Sequence, residues 1–137
     1  MNILVDTNIA LDIVAKREPF YEKSFLAIKQ ALQSDYRCYF SVSSAKDVYY
    51  VMKKSSKSAD NAKNAVIAVS KFATFCNTES IDVNLALISD VDDFEDAVLS
   101  ETAKREDFDL ILTRNAKDFV KSEIKAISPS DFLENNF

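Results

Sequence analysis

Asn2-Ile3-Leu4-Val5-Asp6-Thr7-Asn8 opens the chain with a short apolar run that stops in three polar residues. A continuous apolar run suits a parallel strand covered on both faces, and Asp, Thr and Asn begin turns and cap helices. The stretch predicts a strand that feeds a helix, with Ile9, Leu11, Ile13 and Val14 carrying the apolar pattern toward Pro19. Phe20, Phe25, Ile28 and Leu32 then recur at helical spacing, and Tyr36 to Val42 reads as a second strand. Ser43 or Ser44 is expected to cap the next helix, which carries Val48, Val51 and Met52 before a polar break at Ser55 to Ser58. Ala59 to Phe75 repeats the helical period, and a short strand is expected over Ser80 to Val83.

An acidic segment, Ser89-Asp90-Val91-Asp92-Asp93, leads into a helix over Phe94 to Lys104. Leu110-Ile111-Leu112 is a third apolar strand, ending in Thr113-Arg114-Asn115, and Ile124 to Ile127 is expected at a sheet edge. Pro129 opens a last helical turn with Phe132 and Leu133. Strands alternating with helices predict an α/β protein with a mostly parallel sheet and helices on both faces. Ligands of such sheets gather outside the carboxyl ends of the strands, so the polar residues that follow each apolar run are the ones to weigh.

Composition narrows the chemistry. The 137 residues fit one domain, 1–137, and 47% hydrophobic with 28% charged residues matches a globular chain with its own core. There is no histidine, so Ser-His-Asp and Cys-His catalysis lack their imidazole, and Cys38 and Cys76 without CxxC spacing make a zinc site a poor expectation. Without glycine there is neither a GxGxxG turn nor a P-loop. Met1 to Asp6 carry no basic region and no long apolar run, so no membrane span is expected and the cytoplasm is the expected compartment. A net charge of −5 opposes broad affinity for nucleic acid, leaving local clusters such as Lys46 with Lys53, Lys54 and Lys57, and Arg114 with Lys117, as a basic rim that can contact RNA.

What remains for hydrolysis is carboxylates. Asp6 follows the first strand, Asp47 lies early in a helix after the second, Asp96 sits in the first turn of the helix after the acidic segment, and Asn115 with Asp118 follows the third. Singly, Asp6 reads as an N-cap, Asp47 as solvated helix surface, Asp90, Asp92 and Asp93 as caps favoured by the helix dipole, and Asp118 as a turn residue. Gathered at one end of a sheet, they would repel one another and raise one another's pKa, a cost that a divalent cation removes. Hard oxygen ligands favour Mg2+ or Mn2+, which keep waters that can attack a phosphodiester and leave a 5′-phosphate and a 3′-hydroxyl.

Three blocks, Asn2-Ile3-Leu4-Val5-Asp6-Thr7-Asn8, Asp93-Phe94-Glu95-Asp96-Ala97-Val98 and Leu110-Ile111-Leu112-Thr113-Arg114-Asn115-Ala116-Lys117-Asp118-Phe119, resemble the signature blocks of PIN domains in their order. Ala45-Lys46-Asp47-Val48-Tyr49-Tyr50-Val51 is similar to the family's second acidic helix, and Ile127-Ser128-Pro129-Ser130-Asp131-Phe132-Leu133 to its C-terminal strand and helix. The resemblance implies a three-layer α/β/α sandwich, an Mg2+- or Mn2+-dependent endoribonuclease, and often a homodimer. Many members of this size are VapC-type toxins masked by an antitoxin protein. Carried over, Asp6 is the first metal ligand, Asp47 the second acid and Asp96 the third, with Thr7 and Asn8 supporting Asp6 and Thr113 ordering the strand end. Asp47 stands where many members have glutamate, and Asn115 where many have aspartate. Asn115 retains a carbonyl oxygen as a metal donor but no charge, which leaves Asp118 as the nearest replacement acid.

Two other readings compete. A PIN-like module that binds RNA or protein without catalysis would follow from the missing charge at Asn115. A phosphoryl-transfer protein, such as a receiver or a haloacid-dehalogenase-like phosphatase, also places an aspartate after an apolar strand. The phosphatase pattern wants a second aspartate where this chain has Asn8, and the receiver wants a lysine where Leu112 leads into Thr-Arg-Asn.

Overall fold

Ile3, Leu4 and Val5 are wholly buried, because the strand they form lies at the centre of a sheet with helices on both faces. The computed structural model of the protein describes residues 1–135. Their strands are β1 (Asn2–Val5), β2 (Arg37–Ser41), β3 (Thr74–Cys76), β4 (Leu110–Leu112) and β5 (Ala126–Ile127). Their α-helices are α1 (Thr7–Val14), α2 (Tyr21–Gln33), α3 (Val42–Ser56), α4 (Ala59–Ser70), α5 (Ser80–Ala86), α6 (Phe94–Arg105) and α7 (Pro129–Glu134). All neighbouring strands run parallel, in the order β3-β2-β1-β4-β5, so the expected mostly parallel sheet is parallel throughout.

Alternation along the strands separates two cores. Ile3 and Val5 join Phe40, Leu110 and Leu112 in one core, packed by α1 to α4 and closed by Phe132 of α7. Leu4 and Ile111 face the other side, against Leu99 and Ala103 of α6 and Phe108 beyond it. The result is the three-layer α/β/α arrangement. Because the chain has no glycine, the left-handed positions past the ends of α1, α2, α3 and α6 fall to Lys16, Asp35, Lys57 and Asp107, with φ of 48°, 61°, 54° and 56°.

Three boundaries differ from the sequence reading. The helix expected over Ala59 to Phe75 ends at Ser70, and Thr74–Cys76 pairs with Tyr39–Ser41 as β3. Ser80 to Val83, expected as a strand, is the start of α5, held by a capping box in which Glu79 and Asp82 exchange backbone and side-chain hydrogen bonds. The cap of α3 is Ser41, whose Oγ accepts from the Ser44 backbone N–H at 3.1 Å, rather than Ser43 or Ser44.

Candidate active site

The carboxyl ends of β1 and β4 place Asp6 and Thr113 side by side. The Asp6 backbone N–H continues the strand pairing by donating to the Leu112 carbonyl at 2.9 Å. Its carboxylate caps α1, with Oδ1 accepting from the Thr7 N–H at 2.7 Å, while Oδ2 accepts from the Thr113 hydroxyl at 2.7 Å. Thr113 Oγ1 in turn accepts from the Asn115 N–H at 3.1 Å, so the loop after β4 and the head of α1 hold Asp6 from both sides. Asn8 Oδ1 ties the same loop to α1 by accepting from the Arg114 N–H at 3.4 Å.

Asp96 enters from the first turn of α6, its N–H donating to the capping Asp93 carboxylate at 3.0 Å. Asp47 comes from α3, and Asn115 and Asp118 from the 3-10 turn at Ala116–Phe119. Asp6, Thr7, Asn8, Asp47, Asp96, Asn115 and Asp118 line one open cavity of about 820 Å3. Lys46 is exposed next to Asp47 and its charge acts on that carboxyl, whereas Arg114 acts on Asp6. Tyr50 also lines the cavity, Tyr49 is half-buried on α3, and Phe20 lies beneath Arg114.

The acids strain against one another. Burial, and then the charges of Asp6, Asp93, Asp118 and Glu95, push the Asp96 carboxyl up to about 7. Burial also raises Asp6, opposed by the hydrogen bonds from Thr113 and Thr7 and by Arg114. Asp47 is raised by burial and partly relieved by Lys46. Among the described residues no three acids or thiols stand close enough together to hold an ion as they are placed. The donor set nevertheless fits Mg2+ or Mn2+: it is all hard oxygen, it carries unrelieved negative charge, and Mg2+ is commonly held by one or two carboxylates with its remaining waters kept.

Asp96 yields a pH prediction. Its folded pKa lies above its unfolded value of 3.8, so the folded state holds the extra proton between about pH 4 and 7. The stabilisation is full below pH 4 and is lost as pH rises through 7. In chelator, thermal unfolding is expected to show a loss of about 1–2 kcal/mol between those limits, after allowance for solvent screening at this partly exposed group. Asp96→Asn should flatten that slope; an unchanged slope would mean the cluster does not repel as placed.

Sequence reading did not single out Asp12 or Glu95. Glu95 is an exposed cavity acid next to Asp96, and the signature block that contains it gives it no role. Asp12 is wholly buried in α1 and bound to Ser24 and Arg114; a charge inside Ile9-Ala10-Leu11-Asp12-Ile13 was the available signal.

A model of the PIN domain family matches residues 2–117. Among curated proteins the sequence has no match. Solved structures share the fold at low identity. VapBC2 from Rickettsia felis, bound to a promoter DNA fragment, superimposes with a TM-score of 0.74 at 12% identity, over 93% of this chain and 98% of that one. A toxin–antitoxin complex from Klebsiella pneumoniae gives 0.68 at 22% identity, over 93% and 97%. VapC20 from Mycobacterium tuberculosis, a toxin that cleaves the sarcin-ricin loop, gives 0.62 at 14% identity, over 80% and 86%.

Proposed function

Since the chain belongs to the PIN domain family, we propose that it is an Mg2+- or Mn2+-dependent endoribonuclease that hydrolyses RNA phosphodiester bonds. The observation that carries this reading is the convergence of Asp6, Asp96 and Asp118 in one cavity, where the charges of Asp6 and Asp118 add to burial in raising the Asp96 carboxyl. Asp6 and Asp96 would hold the cation, with Asp47, Asn115 and Asp118 on the cavity wall as further oxygen donors. Such an ion supplies Lewis-acid polarisation of the phosphoryl oxygens and lowers the pKa of an attacking water. Thr7 and Thr113 fix both Asp6 oxygens, and Asp93 anchors the turn that presents Asp96. Lys46, exposed beside Asp47, would meet the RNA backbone at the rim.

As a single domain of residues 1–137, the protein would act as the toxin of a toxin–antitoxin pair in the cytoplasm. This part of the reading is supported by the fold shared with toxin–antitoxin proteins. Among the described residues no helix is long and apolar enough to cross a membrane.

A second copy of the chain would cover the outer face of α5 and the turn after it. There Leu87 and Ile88 are 69% and 81% exposed beside exposed Ile81 and Leu85, an apolar set that water does not favour. Sedimentation is expected to show a dimer that Leu87→Lys with Ile88→Glu converts to a folded monomer. A wild-type monomer at micromolar concentration would remove this part.

A non-catalytic PIN-like binding module is the second reading, favoured by the uncharged Asn115 and the lack of a preassembled three-acid group among the described residues. One experiment separates the two. A mixed pool of structured and single-stranded RNA, incubated with the protein and manganese or magnesium, is expected to be cut, with all cutting lost in chelator. No cutting of any RNA, together with no manganese binding, would leave the binding module ahead.

A further inference from the structure

The molecule contains two arginine–aspartate pairs built in opposite ways. Arg105 gives every guanidinium nitrogen to the protein: Nε and Nη2 to Asp82, Nη1 to Glu106, and Nη2 also to the Asn77 carbonyl. Arg114 gives only Nε, at 2.9 Å to Asp12 Oδ2, and neither η nitrogen has a partner among the described residues. The Asp12 side chain is 0% exposed, and the same oxygen also accepts from Ser24 Oγ at 2.9 Å, while Oδ1 is buried with no partner among the described residues. Arginine–carboxylate pairs frequently close as a two-pronged bridge, which here would satisfy that oxygen. This pair instead grips the guanidinium at its base and leaves its fork open.

The fork is also stacked. Arg114 Cζ lies 3.9 Å from the centroid of the half-exposed Phe20 ring, which fixes the guanidinium plane. Its backbone borders the acidic cavity, because Thr113 before it binds Asp6, Asn115 after it lines the cavity and its own N–H is held by the cavity residue Asn8, and its charge reaches Asp6. In a chain of net charge −5, a fixed cation here meets a polyanion that the rest of the molecule repels.

We propose that Asp12 is a positioning residue that holds Arg114 as a fixed two-pronged contact for a phosphodiester of the RNA strand entering the acidic cavity. The guanidinium fork matches a pair of phosphate oxygens, and a side chain already gripped and stacked loses little freedom on binding. The inference rests on the ribonuclease reading for the identity of the strand, but it concerns binding, which needs neither metal nor turnover.

The test is fluorescence anisotropy of a labelled single-stranded RNA in chelator, between about 50 and 200 mM salt. Arg114→Gln is expected to weaken binding about tenfold and to reduce the slope of log affinity against log salt by about 0.7, one phosphate contact to a single strand. Because Arg114→Gln leaves Asp12 buried and unpaired, the double variant Asp12→Asn with Arg114→Gln removes both charges and should show the same loss while melting as a folded protein. Asp12→Asn alone keeps the Arg114 charge, so the slope should hold while affinity falls about threefold. Lys29→Gln, an equal charge change on exposed α2, should leave the slope within error.

A folded double variant that binds with wild-type affinity and slope would overturn the proposal, as would a wild-type protein that does not bind. Unchanged affinity in Asp12→Asn would overturn the role of Asp12. Cleavage with manganese by a wild type whose binding ignores Arg114 would sink this inference and leave the nuclease. Arg114-dependent binding without cleavage under any metal would do the reverse.

Discussion

Asp6→Asn is expected to lower manganese-dependent RNA cleavage by at least about a hundredfold while leaving the protein folded. The substitution is nearly isosteric. The Thr7 N–H keeps an oxygen to donate to, and the Thr113 hydroxyl can turn to accept from the new amide. What is lost is one full negative charge at the carboxylate that the ends of β1 and β4 hold most firmly. Manganese titration should show the same loss in binding. Thr113→Val keeps the charge and removes the hydroxyl that orients it, so the expected loss is smaller, about 10–100-fold.

Asp96→Asn makes the more telling comparison, because function and stability should move in opposite directions. Cleavage should fall as it does for Asp6→Asn, while the metal-free protein above pH 7 should melt higher, since the carboxyl that Asp6, Asp93, Asp118 and Glu95 repel is gone. A structural carboxylate would show the opposite stability change. Wild-type cleavage rates in either variant would sink the aspartate mechanism, whatever the stability result.

The legibility of the fold followed burial. β1 and β4 are covered on both faces, so each reads as an unbroken apolar run, and the polar residues after them could be assigned to one sheet end from the sequence. Asp6, Asn115 and Asp118 were therefore legible, while Asp96 was legible from its place in the first turn of the helix after the acidic segment, and all four line one cavity. β3 was hidden because it is three residues long and at the edge, with Thr74 and Phe75 exposed and Phe72 and Ala73 continuing the helical pattern up to it.

α5 misled for a physical reason. Ile81, Val83 and Leu85 alternate as a strand would, yet all three are exposed, while the polar Asp82 between them is buried. A helix that turns its acid inward cannot be read from hydrophobic periodicity, which assumes the reverse. Asp12 escaped on similar grounds: its partners Ser24 and Arg114 lie 12 and 102 residues away.

The inverted face of α5 leads to the second large effect, which is on stability. Arg105→Ala is expected to destabilise the protein by about 3–5 kcal/mol, the cost of leaving a buried carboxylate without its counter-charge. The Asp82 side chain is 1% exposed and accepts from Arg105 Nε at 2.9 Å and Nη2 at 3.0 Å, from the Glu79 N–H at 2.9 Å and from Thr102 Oγ1 at 3.1 Å. Arg105, at the far end of α6 from Asp96, thereby pins α5 and the Asn77 carbonyl after β3 to the helix that carries a proposed metal ligand.

Burial opposes the charged form of Asp82, but these hydrogen bonds outweigh it and hold the carboxyl below its ordinary value. Its contribution is thus full above about pH 4 and lost as pH falls through the depressed folded pKa, the opposite limb from Asp96. Denaturant unfolding at pH 7 should show the loss in Arg105→Ala, and acid titration should show that the variant has lost the wild type's added stability above pH 4. Arg105→Lys keeps the charge without the fork and should fall between the two. Asp82→Leu with Arg105→Met removes both charges and should recover part of the loss, because no buried charge is then left unpaired, while the Glu79 N–H and the Thr102 hydroxyl lose their acceptor. If Arg105→Ala costs under about 1 kcal/mol, the pair is a surface contact and some other feature turns α5 inside out.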